Sequence, residues 1–122
     1  MILKFSEVYF QSPDEKIFDV KVGNTKIIEN LDIFGSLHSK LLPLDFFFDV
    51  VLQANGKLLI DGEDVSNGYR KKNLIIDFMI GQADNPKINA ILLVRGGKEN
   101  THYRSYMRYQ AELDKLRSQS YE

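Results

Sequence analysis

Apolar and polar residues alternate along most of the chain up to Gly97. Over residues 2–10, Leu3, Phe5 and Tyr9 interleave with Lys4, Ser6 and Glu7. That predicts a strand, because successive side chains of a strand face opposite sides. Gln11-Ser12-Pro13-Asp14-Glu15 interrupts it with a turn. Over 16–22, Phe18, Val20 and Val22 share one face and Asp19 and Lys21 the other. Gly23-Asn24 then predicts a tight hairpin into Thr25-Lys26-Ile27-Ile28. Residues 29–43 lose the period: Leu31, Ile33 and Phe34 read as buried and 35–40 as loop. Residues 45–53, with Phe46-Phe47-Phe48 and Val50-Val51-Leu52, read as one buried strand. Ala54-Asn55-Gly56-Lys57 is a second hairpin signal, leading into Leu58-Leu59-Ile60. Residues 61–72 read as a polar loop, 73–80 and 87–94 as strands, and Gly96-Gly97 as the close of the β region.

From residue 98 onward the pattern changes. Neither Gly nor Pro occurs to the end, and Tyr106, Tyr109, Leu113 and Leu116 recur at spacings of three, four and three. This heptad-type seam predicts a helix, either packed on the domain or opening a coiled coil. Two heptads do not separate these, since a lasting coiled coil needs about three or four. About seven short strands punctuated by turns, then one helix, predict an all-β antiparallel sandwich over 1–97 and a helical unit over 98–122.

Composition narrows the function classes. A chain of 122 residues with 43% hydrophobic and 27% charged residues fits one globular domain with a real core. A net charge of −1 gives no bulk attraction to nucleic acid or an anionic membrane. The absence of cysteine excludes disulfides, thiol catalysis and Cys-ligated zinc. No apolar run approaches the ~20 residues that span a bilayer. Met1-Ile2-Leu3-Lys4-Phe5-Ser6 is too short and too alternating for a signal peptide. Asn24, Asn55, Asn67 and Asn100 all fail the glycosylation sequon at its third position. The chain begins inside a predicted strand, which is compatible with an upstream piece.

No catalytic residue, cofactor or metal site is predicted. The acidic residues form no committed pair of the kind that hydrolyses glycosides. His38 and His102 stand apart without ligand spacing and read as surface residues. No phosphate-binding glycine loop is present. Two features carry possible binding chemistry. Pro86 fixes its own φ and moves Asn85 out of the helical region, so Asp84 sits on a stiff loop before the apolar run Ile88-Asn89-Ala90-Ile91-Leu92-Leu93. Tyr9 and Phe10, as neighbours in a strand, would point to opposite faces, leaving one ring at the sandwich edge. An exposed ring stacks on the C–H face of a sugar, and a nearby carboxylate accepts from its hydroxyls. Strand entry and edge packing use the same residue types, so the residues alone leave both readings open.

Four segments carry a resemblance: residues 3–10 (Leu-Lys-Phe-Ser-Glu-Val-Tyr-Phe), 16–21 (Lys-Ile-Phe-Asp-Val-Lys), 31–34 (Leu-Asp-Ile-Phe) and 84–91 (Asp-Asn-Pro-Lys-Ile-Asn-Ala-Ile). In order and spacing the chain resembles the C-terminal two-thirds of the malectin-domain family. The resemblance implies a β-sandwich of galactose-binding-like or jelly-roll character and a non-catalytic module that binds a gluco-oligosaccharide or glycoprotein. It implies stacking by Tyr9 and Phe10 and hydrogen bonding by Asp84. The family's site also draws on tyrosines of an N-terminal portion that has no counterpart within these residues. Some malectin-type domains stand beside coiled coils in kinesin-like motors. That setting implies a cytoplasmic, cytoskeleton-associated tether for a protein partner, whereas the lectin setting implies the endoplasmic-reticulum lumen.

Overall fold

The computed structural model describes residues 1–120. Its architecture is antiparallel β-sheet with a C-terminal helix. Strand β1 (Ile2–Phe5) lies between β4 (Leu44–Phe47) and β11 (Ala90–Leu92), with Leu3 opposite both Phe46 and Ile91. Strand β2 (Ile17–Val22) lies between β3 (Thr25–Leu31) and β10 (Ile76–Ala83). Strands β5 (Val50–Leu52), β6 (Leu58–Ile60) and β7 (Glu63–Asp64) form a third sheet, and β8 (Tyr69–Arg70) pairs with β9 (Asn73–Leu74).

The core includes residues that the alternation assigned inward, though not Tyr9, and takes in Ile2, Leu37 and Val65 as well. Leu3, Phe18, Val20 and Val22 are fully buried. Removing such side chains from water is worth about 1.5–3 kcal/mol each. The Phe5 ring joins the two main sheets, 5.9 Å from Phe18 across the sandwich and 5.9 Å edge-on to its sheet neighbour Phe46. The first hairpin forms where expected, with Gly23 at φ +60 and Val22 opposite Thr25. A side chain there would also strike Asn67 Cβ and Gly68 N, both at 2.9 Å. The second hairpin closes with Gly56 N–H donating to Gln53 O at 2.9 Å.

Several elements differ from the sequence expectation. The strand over 2–10 stops at Phe5, because Tyr9 and Phe10 give their N–H groups to the Glu7 carboxylate instead of a neighbouring strand. The strand over 45–53 is two strands, broken where Asp49 N–H turns to Asp61 Oδ1 at 2.8 Å. The polar loop over 61–72 contains β7, a 3₁₀ turn at Ser66–Gly68 and β8. Within 29–43 a short helix, α1 (Ile33–Leu37), forms because Asp32 Oδ1 caps Gly35 N–H at 2.9 Å.

Helix α2 (Thr101–Ser120) packs on the outer face of the β1–β4 sheet. Tyr103 is fully buried, its ring 5.5 Å from Phe47 and its hydroxyl donating to Phe48 O at 3.4 Å. Gln110 Oε1 accepts from Asp45 N–H at 2.9 Å. Lys4 Nζ lies 2.7 Å from Asp45 Oδ2 and 4.0 Å from the Tyr106 ring centroid. The inward face is therefore centred on Tyr103 and Gln110, and of the predicted seam only Leu113 packs against the core, while Tyr109 and Leu116 are exposed. The seam counted apolar residues at heptad spacing, whereas this contact joins the buried Tyr103 ring with a polar pairing of Gln110 and the Asp45 N–H.

Candidate functional site

Topology gathers one end of the sandwich. In register, Ile17 at the start of β2 faces Ala83 at the end of β10, and Lys4 near the end of β1 faces Ala90 at the start of β11. The segments 6–16 and 84–89 are thus neighbours. Ser6 N–H donates to Asn89 Oδ1 at 2.8 Å, Asn89 N–H donates to Lys4 O at 3.0 Å, and Lys87 Nζ donates to Ser6 O. Asp14 N–H donates to Asp32 Oδ2 at 2.6 Å, tying the first segment to α1 as well.

Glu7 shapes the aromatic segment. It is buried, and its Oε2 accepts from Tyr9 N–H at 3.0 Å and Phe10 N–H at 3.2 Å. A short acceptor-led turn of this kind releases the chain from the strand. Tyr9 and Phe10 are therefore not on opposite faces of a strand. They sit edge to face, ring centroids 5.0 Å apart at 84°, with Tyr9 76% exposed and Phe10 half-buried behind it.

Asp84 is aimed by the end of β10. The β10–β2 register shifts between Ile80 and Ala83, and Gly81 sits in that bulge so close to β2 that a Cβ would lie 2.5 Å from Ile17 O. Bulges of this type re-aim the residues that follow. Asp84 has φ +54, a left-handed conformation that Asp tolerates better than most residues. Lys16 Nζ lies 2.6 Å from Asp84 Oδ2, also donates to Asn85 O, and stands 5.6 Å from the Phe10 ring centroid. The Lys16 hydrogen bond, then the Asn85 N–H, hold the Asp84 carboxyl below the usual carboxylate range. Its side chain stays 41% exposed while Lys16 is 11% exposed, so the cation is a fixture and the anion is presented.

The structure thus brings Tyr9, Phe10 and Asp84 together, with Lys16 as the link. An exposed phenol ring, a half-buried ring, an ionised acceptor and an ammonium donor form an open polar-aromatic surface. It can stack on an apolar face and exchange hydrogen bonds with hydroxyls. Among the described residues no group of three or more His, Cys, Asp or Glu could hold a metal ion. Sequence reasoning missed Glu7, Lys16 and Asn89. Glu7 alone carried a legible signal, an acid beside a run of bulky residues, but the pairing of Lys16 with Asp84 spans 68 positions and only the fold reveals it.

The malectin-domain family profile matches residues 1–91, a span that holds all of these side chains and stops short of α2. The chain is 35% identical over 101 residues to Malectin-A of Xenopus laevis, covering 79% of this chain and 33% of that protein. It is 35% identical over 101 residues to Malectin of Homo sapiens, 79% of this chain and 31% of that one. To Malectin of Danio rerio it is 31% identical over 106 residues, 82% and 33% respectively. The chain spans about a third of the length of the curated relatives it matches.

Proposed function

The chain belongs to the malectin-domain family, and on that premise we propose that it is a non-catalytic carbohydrate-binding module for a gluco-oligosaccharide, free or on a glycoprotein. Tyr9 supplies the stacking face, Phe10 backs it, and Asp84 accepts from sugar hydroxyls. The observation that carries this reading is the Lys16 ammonium, which touches Asp84 and faces Phe10 and so holds acid and rings on one surface. Lys16, covered and already bonded to Asp84 and Asn85, positions the acid.

The test is a calorimetric titration of the full chain with maltose, nigerose and longer gluco-oligosaccharides, repeated on Asp84→Ala and Tyr9→Ala. Each substitution is expected to weaken binding roughly tenfold, the scale of one charge-assisted hydrogen bond or one stacking contact. Equal binding by wild type and both variants removes these residues from the site.

A second reading has a specific observation behind it. Tyr109 is 53% exposed on the solvent side of α2, seven positions from Leu116. A helix presenting that face can associate with another, as in a protein-interaction or cargo-tethering domain beside the coiled coil of a kinesin-like motor. Sedimentation of the chain separates the two: dimerisation abolished by Tyr109→Glu supports tethering, and a monomer at all concentrations leaves the lectin reading alone.

A further inference from the structure

A second polar cavity lies at the end of the sandwich opposite Tyr9 and Asp84, where Val22 at the close of β2 faces Ile76 at the start of β10. Its walls are internal turns of the chain. The tip of the β2–β3 hairpin, Gly23-Asn24, abuts the 3₁₀ turn at Ser66–Gly68. The approach is so close that a Cβ on Gly68 would lie 2.6 Å from Gly23 N. Ile75 N–H donates to Gly68 O at 2.7 Å and fixes the base of the β8–β9 hairpin beside them. The cavity they leave measures about 200 Å³ and is lined by Asn24, Asn67, Arg70, Ile75 and Asp77.

The polar side chains on this cavity are largely unengaged. Arg70 Nε donates to Asn67 O at 3.3 Å, which aims the guanidinium and leaves its terminal nitrogens without a partner among the described residues. The Asp77 carboxylate and the Asn24 and Asn67 amides likewise have no side-chain partner among the described residues. Arg70 and Asp77 thus border one small space with opposite charges and form no ion pair with each other. Polar groups converging on a concave surface in this way mark a ligand site.

The turn beside the cavity adds an independent observation. Arg70 pairs with Asn73, so Lys71-Lys72 alone joins β8 to β9. Both lysines are left-handed, with φ +51 and +65. Two-residue turns with two positive φ angles favour Asn-Gly, because a full side chain resists that conformation. Lysine at both positions is locally unfavourable, and both side chains are exposed without an ion pair among the described residues. Backbone outliers of this kind collect where a side chain serves a ligand. Arg70, Lys71 and Lys72 together outweigh the single charge of Asp77, so this end is cationic.

We propose that this end of the sandwich is a second binding site, for a phosphate ester of a polyol. The Arg70 fork matches two phosphate oxygens, and Lys71 and Lys72, next in the chain, add positive charge beside it. Asp77 accepts from the polyol hydroxyls, and Asn24 and Asn67 both donate and accept. Ile75, 40% exposed, supplies an apolar side for C–H groups. The site uses none of the residues of the Tyr9–Asp84 surface and does not rest on sugar binding there.

The test is an NMR titration of the full chain with myo-inositol monophosphate, myo-inositol and inorganic phosphate, each alone. The ester is expected to shift the amides of Asn24, Asn67, Arg70 and Asp77 at millimolar concentration, leaving Tyr9 and Phe10 in place. It should bind about tenfold more tightly than either fragment, since each fragment fills only half of the site. Lys71→Asn with Lys72→Gly installs the favoured turn and is expected to raise the unfolding midpoint by a few degrees. The same pair should weaken ester binding about tenfold through the lost charges. Lys71→Arg with Lys72→Arg keeps the charge and should bind within about twofold of wild type. The proposal is overturned if the ester shifts none of these amides, or if inorganic phosphate binds as tightly as the ester, which makes the turn a site for an adventitious ion only. It is equally overturned if the Asn-Gly turn binds as well as wild type or is no more stable.

Discussion

Replacing Tyr103 by alanine tests whether α2 is part of the folded domain. Tyr103 has no exposed surface, its ring meets Phe47 at 5.5 Å, and it stands on the face of α2 that closes over the sheet. Truncating a fully buried aromatic residue costs about 3–5 kcal/mol in lost transfer energy and residual cavity. A chain of 122 residues unfolds with an entropy near 0.26 kcal/mol/K, so the midpoint should fall by about 12–20 °C. Tyr103→Phe keeps the ring and deletes only a 3.4 Å hydrogen bond to Phe48 O. A bond that long is worth about 1 kcal/mol or less, a shift of up to about 4 °C. The assay is thermal unfolding followed by far-ultraviolet circular dichroism and calorimetry.

The same residue gives a pH signature. Burial, then the charges of Asp49 and Asp61, push the Tyr103 phenol up to about 12 from an ordinary 10.0. A raised folded value means that the native state holds its proton while the unfolded state gives it up. The contribution is therefore complete below pH 10 and is lost as the pH rises through 12. Wild type should lose midpoint over that window, and Tyr103→Phe should lose less. A Tyr103→Ala midpoint within about 4 °C of wild type would falsify the docking argument, because a helix that merely leaves the domain cannot carry that much stability.

Three further outcomes concern the end of the sandwich that carries Tyr9 and Asp84. Glu7→Ala leaves two N–H donors without their buried acceptor and should destabilise by about 2–3 kcal/mol, with faster exchange at the Tyr9 and Phe10 amides. Gly81→Ala places a Cβ against backbone at 2.5 Å and should cost about 1–3 kcal/mol, with chemical-shift changes confined to the ends of β2 and β10. Lys16→Met should return the Asp84 carboxyl toward its ordinary value; carbon-detected titration should then show it protonating at higher pH, and sugar binding should fade at correspondingly higher pH on acidification.

The fold was legible where local rules and tertiary demands agree. Phe18, Val20 and Val22 alternate with charged residues, and Gly23-Asn24 follows at once, so β2 and its hairpin read directly from the chain. The reading failed where a side chain overrode the period. Glu7 pulls two N–H groups out of the predicted first strand, Asp61 divides the predicted strand over 45–53, and Asp32 caps a helix inside an apparent loop. Each is an acidic side chain bonding to backbone, a competition that hydrophobic periodicity does not register. The helix face was misread for a related reason: Gln110 is buried because its amide answers Asp45 N–H, and no count of apolar positions would place it inward.

The residues of the candidate site could be named from the sequence, but their arrangement could not. Asp84-Asn85-Pro86 pointed to a stiff acid-bearing loop, and Tyr9-Phe10 to an exposed ring, but the two are 75 positions apart in sequence. What joins them is Lys16, a residue with no distinguishing neighbours in the chain. Exposed ion pairs contribute little to stability, so Lys16–Asp84 is poorly explained as a stabilising contact. Its geometry fits another role better. The ammonium is largely covered and bonds to both Asp84 Oδ2 and Asn85 O, which fixes the direction of the carboxylate while leaving 41% of that side chain in solvent. The bulge at Gly81 and the left-handed turn at Asp84 are each locally unfavourable and lie in the stretch that sets the direction of the acid. On the proposed sugar-binding reading, local strain held in place by a covered cation would set the surface in position before its ligand arrives.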